Sequence, residues 1–362
     1  MHNRFSIKIV GRSGQGVNVL GEMLAKGLKR SGFQVFGYRE YPSLIQGGHA
    51  TYQIDISNKQ VLSSTKKIDL LVVLNRQSTK WHEDELSQNG LIVHDIDNPR
   101  INTNEYSALQ DLNVKMVYAP AFQLSKDLGG NELTANIVLL GVLWRLLGLE
   151  KTKLVEIVTD TFKNKPKLLE ADLKCAESGF EYTYNQELPL TRRVIKPLEV
   201  TDEQKLALNL KPQPKTDLIK FPSHPSHKES YLMTGNESVS LGAINSGVRI
   251  FYSYPMTPTS SIMTILSESS IETGIIVKQA EDEISAAAMS IGSMHMGTRA
   301  LTATSGGGFD LMTEHVSLSA MIEVPFVVIL GQRPGPATGL PTWTTQGDLM
   351  LSVFSAHGEF SR

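Results

Sequence analysis

The sequence predicts two α/β domains joined by a proline-rich connection, and three observations carry that prediction. Strand-like and helical periodicities alternate over residues 1–186 and again over 231–362. Between them, residues 187–230 hold Pro189, Pro197, Pro212, Pro214, Pro222 and Pro225 among polar and charged residues, the composition of an extended linker. At 362 residues the chain exceeds one ordinary domain, and 41% hydrophobic with 20% charged residues suffices to fill and cover two cores.

In the first domain a β-type run over 5–10 enters Gly11-Arg12-Ser13-Gly14-Gln15-Gly16. A helix follows, with Val17, Leu20, Leu24 and Leu28 on one face and Gly32 near its end. Strands are expected over 34–41, 50–56, 70–74 and 91–94, and helices over 133–147, 152–164 and 166–178. In the second domain, helices over 236–246, 260–272, 282–296 and 309–321 alternate with strands over 249–253, 275–279, 300–304 and 325–330. That alternation predicts a doubly wound parallel sheet with helices on both faces.

Composition removes several classes of function. A net charge of −2 leaves no electrostatic footprint for nucleic acid or an anionic membrane. Cys175 is the single cysteine, so this chain alone builds no disulfide framework, cysteine-ligated cluster or zinc ribbon. It also points to a reducing, cytoplasmic setting. The N-terminus lacks the apolar core of a signal peptide, and the apolar stretch 137–149 is short and broken by Gly141 and Arg145. The nine histidines show no HExxH spacing, and no GxSxG elbow occurs. No metal site is expected.

The chemistry-bearing segments follow the strands. The loop Gly11, Gly14, Gln15, Gly16 sits where a strand meets a helix, a place where backbone N–H groups bind phosphate. It lacks the third glycine of the dinucleotide fingerprint and the Lys-Ser/Thr of a P-loop, so a ligand-free turn is an equal reading. Gln46-Gly47-Gly48 forms a second such cluster. Tyr254-Pro255-Met256-Thr257-Pro258-Thr259-Ser260 offers three hydroxyls on a proline-stiffened loop, of which helix capping explains one. Glu281-Asp282-Glu283 opens a helix of small residues, Ser285 to Gly292, that admits close approach of a flat ligand. Single acids there are otherwise accounted for by the helix dipole. Ser305-Gly306-Gly307-Gly308 reads as a glycine loop. Arg333, in Gln332-Arg333-Pro334-Gly335-Pro336, suits bidentate contact with a carboxylate, or else a surface ion pair. Polar or glycine-rich loops after four consecutive strands make a composite site the stronger reading.

Together these residues resemble the 2-oxoacid:ferredoxin oxidoreductases, in the form that fuses a gamma domain ahead of an alpha domain. The gamma-like motifs are Gly11–Val17, Tyr41-Pro42 and Gln46-Gly47-Gly48. The alpha-like motifs are Thr234-Gly235-Asn236-Glu237, Tyr254-Pro255-Met256-Thr257-Pro258, Glu283 with its alanine helix, Thr304-Ser305-Gly306-Gly307-Gly308 and Arg333–Gly339. The resemblance implies coenzyme A-dependent oxidative decarboxylation of a 2-oxoacid, 2-oxoglutarate before pyruvate, with electrons passing to ferredoxin.

It also implies the parts. Thiamine diphosphate is shared with a beta subunit that carries Mg2+, the diphosphate site and an iron–sulfur cluster, in a heterodimer or a dimer of heterodimers. Glu283 hydrogen-bonds the aminopyrimidine ring, with Glu281 the alternative. Tyr254, Pro255, Ser305 and Gly306 contact the cofactor, Thr257 and Arg333 bind the substrate, and Gly11, Gly14, Gln15 and Gly16 help hold coenzyme A. Without the partner, the face carrying Tyr254, Glu283 and Gly306 is expected to be exposed and rather apolar.

Two departures stand out. Gln46 occupies a position where the family often has arginine, and family members usually continue into another α/β domain beyond this chain's last residue, Arg362. The second departure supports an alternative: a shortened, non-catalytic paralogue that binds the beta subunit or coenzyme A.

Overall fold

Alternation along the first strand sets the layers of the first unit. In β1 (Arg4–Arg12), Phe5, Ile7 and Ile9 enter one apolar cluster while Val10 enters another, so both faces of the sheet are covered. The computed structural model describes residues 4–43, 47–96, 105–182, 185–187, 192–194 and 231–361. They divide into two units, Met1–Leu232 and Met233–Arg362.

The first unit continues with α1 (Val17–Arg30), β2 (Gln34–Glu40), β3 (His49–Ser57), β4 (Ile68–Val73), α2 (Arg76–His82), β5 (Leu86–His94) and β6 (Lys115–Tyr118). Then come α3 (Ala121–Asp127), α4 (Glu132–Leu146), α5 (Lys151–Phe162) and α6 (Pro166–Glu181). Its sheet has the order β2-β3-β1-β4-β5-β6. β1, β4, β5 and β6 are mutually parallel, β3 pairs antiparallel with β1, and β2 pairs antiparallel with β3. Strand β6 and helices α2 and α3 were not among the sequence expectations.

Glycines inside the helices of this unit mark close packing. A Cβ on Gly21 or Gly27 of α1 would run into the rings of Tyr52 and Trp144. Where α4 crosses α6, Gly141 faces the carbonyl of Ala176 and Gly179 faces that of Val138, so two backbones touch directly. Asn131 caps α4 with a reciprocal box to Thr134. After α6, β7 (Asn185–Glu187) and β8 (Arg192–Val194) pair as an antiparallel ribbon. The remaining residues of the proline-rich stretch, and Gln46, lie outside the described residues.

The second unit contains α7 (Gly235–Asn245), β9 (Ile250–Ser253), α8 (Ser260–Glu268), β10 (Ile276–Gln279), α9 (Glu283–His295), β11 (Ala300–Thr304), α10 (Gly306–Met321), β12 (Val328–Leu330) and α11 (Leu349–Phe354). All pairings in its sheet are parallel, in the order β10-β9-β11-β12. One apolar cluster joins α7 and α8 to the sheet through Ala243, Ile262, Leu266 and Phe251. Another gathers α9 and α10 through Ala286, Ala287, Phe309 and Met312. The sheet is therefore wound on both sides, and its strand carboxyl ends open toward the Tyr254, Glu283, Ser305 and Arg333 loops.

One local expectation is corrected. Gly306, Gly307 and Gly308 are not a loop but the first turn of α10, which begins three residues before the expected start at 309. Ser305, extended and buried, is the residue before the helix. Three glycines look like a turn from sequence alone. Here two of them are small because carboxylates occupy the space a side chain would need.

Candidate active site

The loop after β9 is held from three sides. Thr234 and Glu237 form a capping box that fixes the first turn of α7. From that turn Asn236 Nδ2 donates to Pro258 O at 2.8 Å and to Ser261 Oγ at 2.7 Å. Thr259 Oγ1 donates to Met256 O at 2.9 Å, closing the loop on itself. The hydroxyls of Thr304 and Ser305 donate to Met256 Sδ, which lays Met256 over the end of β11. Thr257 remains partly exposed on this loop, the Thr257–Pro258 peptide is cis, and Tyr254 is 39% exposed.

Asp282 caps α9, accepting from Ser285 N at 2.7 Å, so the middle acid of Glu281-Asp282-Glu283 has a structural task. That bond holds the Asp282 carboxyl below the usual carboxylate range. The two flanking acids diverge. Glu281 is exposed, whereas Glu283 is 4% exposed and its Oε1 is shut off from solvent without a hydrogen-bond partner among the described residues. A Cβ on Gly308 would overlap Thr304 Oγ1 and come within 2.8 Å of Glu283 Oε1. Gly308 thus makes room for the Glu283 side chain beside the start of α10. The expectation of an exposed face is corrected here: Tyr254 is open, but Glu283 and Gly306 are buried.

After β12 the chain passes Gly331, where a Cβ would press on Pro258 and Thr259, and reaches Gln332 and the partly exposed Arg333. Asp348, which no sequence expectation singled out, closes this segment. Its N–H donates to Gln332 Oε1 at 3.3 Å and its carboxylate lies against Gly306. A second buried carboxylate oxygen, Asp348 Oδ2, is likewise without a partner among the described residues. The loop after β9, Ser305 with the first turn of α10, Glu283 and the segment after β12 therefore meet at one end of the sheet. A buried acceptor lacking a donor is costly unless a ligand completes it. Glu283, the turn Ser305–Gly308 and the Tyr254–Pro258 loop fit a flat heterocycle bearing a ring nitrogen.

In the first unit the two glycine loops are one construction. Ser13 N donates to Gly48 O at 3.1 Å and Gly47 N to Ser13 O at 3.2 Å. Gly14 and Gly16 have φ of 94° and 80°, the left-handed region that favours glycine. Gly11 belongs to β1, packed against Val17, Gln15 and Leu74. Gln15 Oε1 accepts from Arg12 N and from Asn75 Nδ2, and Asn136 Nδ2 donates to Gln15 O at 2.8 Å.

A path of polar contacts runs on from Asn75. Ser78 Oγ lies 3.1 Å from Asn75 Oδ1 and 3.3 Å from His49 Nδ1. His49 Nε2 meets His82 Nε2 at 2.6 Å, and His82 Nδ1 meets Glu85 Oε1 at 2.8 Å. Lys8 Nζ completes the path at Glu85 Oε2, 2.5 Å away. Burial, with help from His82 and Lys8, lowers the His49 pKa to about 4. Burial pushes the Glu85 carboxyl up, but hydrogen bonds to His82 and Lys8, with their electrostatic pull, hold it below the usual carboxylate range. Among the described residues no group of three or more histidine, cysteine or acidic side chains could hold a metal ion, and no helix is long and apolar enough to cross a membrane.

Comparison with known proteins decides the ancestry of this arrangement. The family model described as Pyruvate ferredoxin/flavodoxin oxidoreductase matches residues 6–182. That described as Pyruvate flavodoxin/ferredoxin oxidoreductase, thiamine diP-bdg, matches residues 241–358. A 2-oxoacid:ferredoxin oxidoreductase subunit alpha from a Sulfolobus species is 32% identical over 99% of this chain. The chain belongs to the 2-oxoacid:ferredoxin oxidoreductase family.

Within that family, the 2-oxoglutarate oxidoreductase subunit KorA of Mycobacterium tuberculosis is 26% identical over 98% of the chain. A solved 2-oxoglutarate:ferredoxin oxidoreductase from Magnetococcus marinus, with 2-oxoglutarate, coenzyme A and succinyl-CoA bound, superposes with a TM-score of 0.79 at 27% identity over 99% of this chain. The chain spans 59% of the Sulfolobus relative, 54% of the Mycobacterium relative and 57% of the Magnetococcus chain.

Proposed function

We propose that this chain is the alpha-type subunit of a cytoplasmic 2-oxoacid:ferredoxin oxidoreductase, and that Glu283 is the acid that activates its thiamine diphosphate. One observation carries the reading: the buried Oε1 of Glu283, without a donor among the described residues, beside a glycine turn at the carboxyl ends of a parallel sheet. A carboxylate so placed accepts a hydrogen bond from a ring nitrogen of the aminopyrimidine and holds a proton there. Glu281, exposed to solvent, is poorly placed for that task.

When bound, thiamine diphosphate supplies the carbon nucleophile that adds to the carbonyl of the 2-oxoacid. This chain supplies binding and orientation. Tyr254, Pro255, Ser305 and Gly306 shape the pocket wall. Thr257 donates to an oxygen of the substrate, and Arg333 pairs with its carboxylate. In the first unit the loop of Gly11, Gly14, Gln15 and Gly16 helps hold coenzyme A, the acceptor of the acyl group. The partner beta subunit carries the diphosphate contacts, Mg2+ and the iron–sulfur cluster, and ferredoxin takes the electrons in a heterodimer or dimer of heterodimers. The favoured substrate is 2-oxoglutarate, in line with the names of the Mycobacterium and Magnetococcus relatives.

The test is anaerobic viologen reduction, dependent on 2-oxoacid and coenzyme A, by the complex with its beta subunit. Wild type should be active, highest in kcat/KM on 2-oxoglutarate, and Glu283→Gln should lose at least about 100-fold in kcat while still assembling. A fully active Glu283→Gln would sink the assignment. A wild-type complex silent with every 2-oxoacid would favour the non-catalytic paralogue.

A further inference from the structure

Gly306 opens α10 with a φ outside the left-handed region, so its backbone alone does not call for glycine. What a side chain there would meet comes from one residue. The three nearest atoms to a Cβ on Gly306 are Oδ2, Oδ1 and Cγ of Asp348, at 2.7, 2.8 and 2.9 Å. Its neighbour Gly307 faces open space. Glycine at 306 is therefore matched to a carboxylate 42 positions later in the chain.

Asp348 ends the segment that begins at Gly331, and the segment is tied at that end. Asp348 N donates to Gln332 Oε1, and Arg333 follows Gln332 directly. Inside the segment Trp343 N donates to Leu340 O at 3.2 Å, and the Trp343 side chain is 41% exposed. The contact with Gly306 thus fixes one end of the segment on the first turn of α10, and the Gln332 bond carries that position to the residue beside Arg333.

We propose that Asp348 is a positioning residue for substrate binding: seated on Gly306, it sets the place of Arg333 through Gln332. The inference rests on the proposed role of Arg333 in holding the 2-oxoacid carboxylate. Packing shape at Gly306 is the essential property, so asparagine at 348 serves nearly as well as aspartate.

The experiment compares wild type, Gly306→Ala, Asp348→Ala, the double variant and Asp348→Asn, each assembled with the beta subunit. Each alanine variant should raise KM for the 2-oxoacid about tenfold, and Asp348→Ala should do so with kcat within about twofold. The double variant should be no worse than Asp348→Ala, because the new Cβ then enters vacated space. Asp348→Asn should stay within about threefold of the wild-type KM. In parallel, the 19F resonance of fluorotryptophan at position 343, assigned with Trp343→Phe, should move in both single alanine variants and not in Asp348→Asn. KM effects that multiply in the double variant, a fall in kcat with KM unchanged, or an unmoved Trp343 resonance would each overturn the proposal. If the wild-type complex reduces no viologen, the catalytic reading fails, and the Trp343 resonances still decide whether Asp348 positions the segment.

Discussion

Glu283 and Gly308 share one space: the carboxylate of the first lies 2.8 Å from where a side chain of the second would begin. The acid at the start of α9 is buried because the first turn of α10 is bare at that point. Thr304, whose hydroxyl borders the same space, fixes the end of β11 beneath both.

Gly308→Ala should therefore act on Glu283 more than on the fold. Forcing one methyl group into packed surroundings costs about 1–3 kcal/mol of stability. The expected outcome is a modest drop in melting temperature with at least a tenfold weaker affinity for thiamine diphosphate by titration calorimetry. Gly307→Ala faces open space and should change neither quantity. Equal behaviour of the two variants would contradict the shared space.

Asp172, 3% exposed on α6, has its pKa raised to about 6 by burial. The folded state then holds a proton that the unfolded chain, titrating near 3.8, has released. Stability from this group is complete below about pH 3.8 and is lost as pH rises toward 6. Asp172→Asn should accordingly stabilise the first unit by up to about 2 kcal/mol at pH 7–8. Chemical denaturation at pH 7.5 and pH 4 should show that gain shrinking at the lower pH. A gain independent of pH would refute the linkage.

His49 titrates the opposite way. Its folded pKa, about 4, lies below the ordinary 6.5, so the unfolded state binds the proton first. Its contribution is present above about pH 6.5 and is lost as pH falls toward 4. His49→Gln should lose less stability than wild type between those values in thermal melts. Following the variant on an Asp172→Asn background separates the two overlapping windows. A parallel loss in both proteins would exclude His49 as the source.

The crossing of α4 and α6 offers a purely structural control. Gly179→Ala drives a methyl group into the backbone of Val138, and neither helix can retreat from a core containing Trp144 and Cys175. A loss of about 3 kcal/mol in urea unfolding is expected. Gly129→Ala has open space but a φ of 79°, so it should cost less, about 1 kcal/mol.

Period and punctuation made much of this molecule legible. The face Val17, Leu20, Leu24 and Leu28 of α1 is buried as its spacing requires, and the strand–helix alternation after residue 231 is a doubly wound parallel sheet. β6 was missed because Lys115–Tyr118 is only four residues long, and α2 because Arg76–His82 lacks an apolar stripe. At the site, helical phase favoured Glu283 over Glu281 only weakly, and what the sequence could not show is that Glu283 is buried while Glu281 is exposed. Asp348 was invisible for a different reason. Its significance is a contact with Gly306, and no local pattern in Gln346-Gly347-Asp348-Leu349 announces a partner so distant in sequence. Helix α10 shows how local reading misleads, since its glycine triplet is helical under constraints set elsewhere.

The two backbone bonds between Ser13 and the Gly47-Gly48 pair make the glycine loops a single mechanical part assembled from separate stretches of chain. A change of length in either loop will displace the other, so chimaeras between relatives must exchange residues 11–16 and 47–49 as a matched set. Swapping one alone should distort Gln15 and His49 together, although neither residue would have been altered.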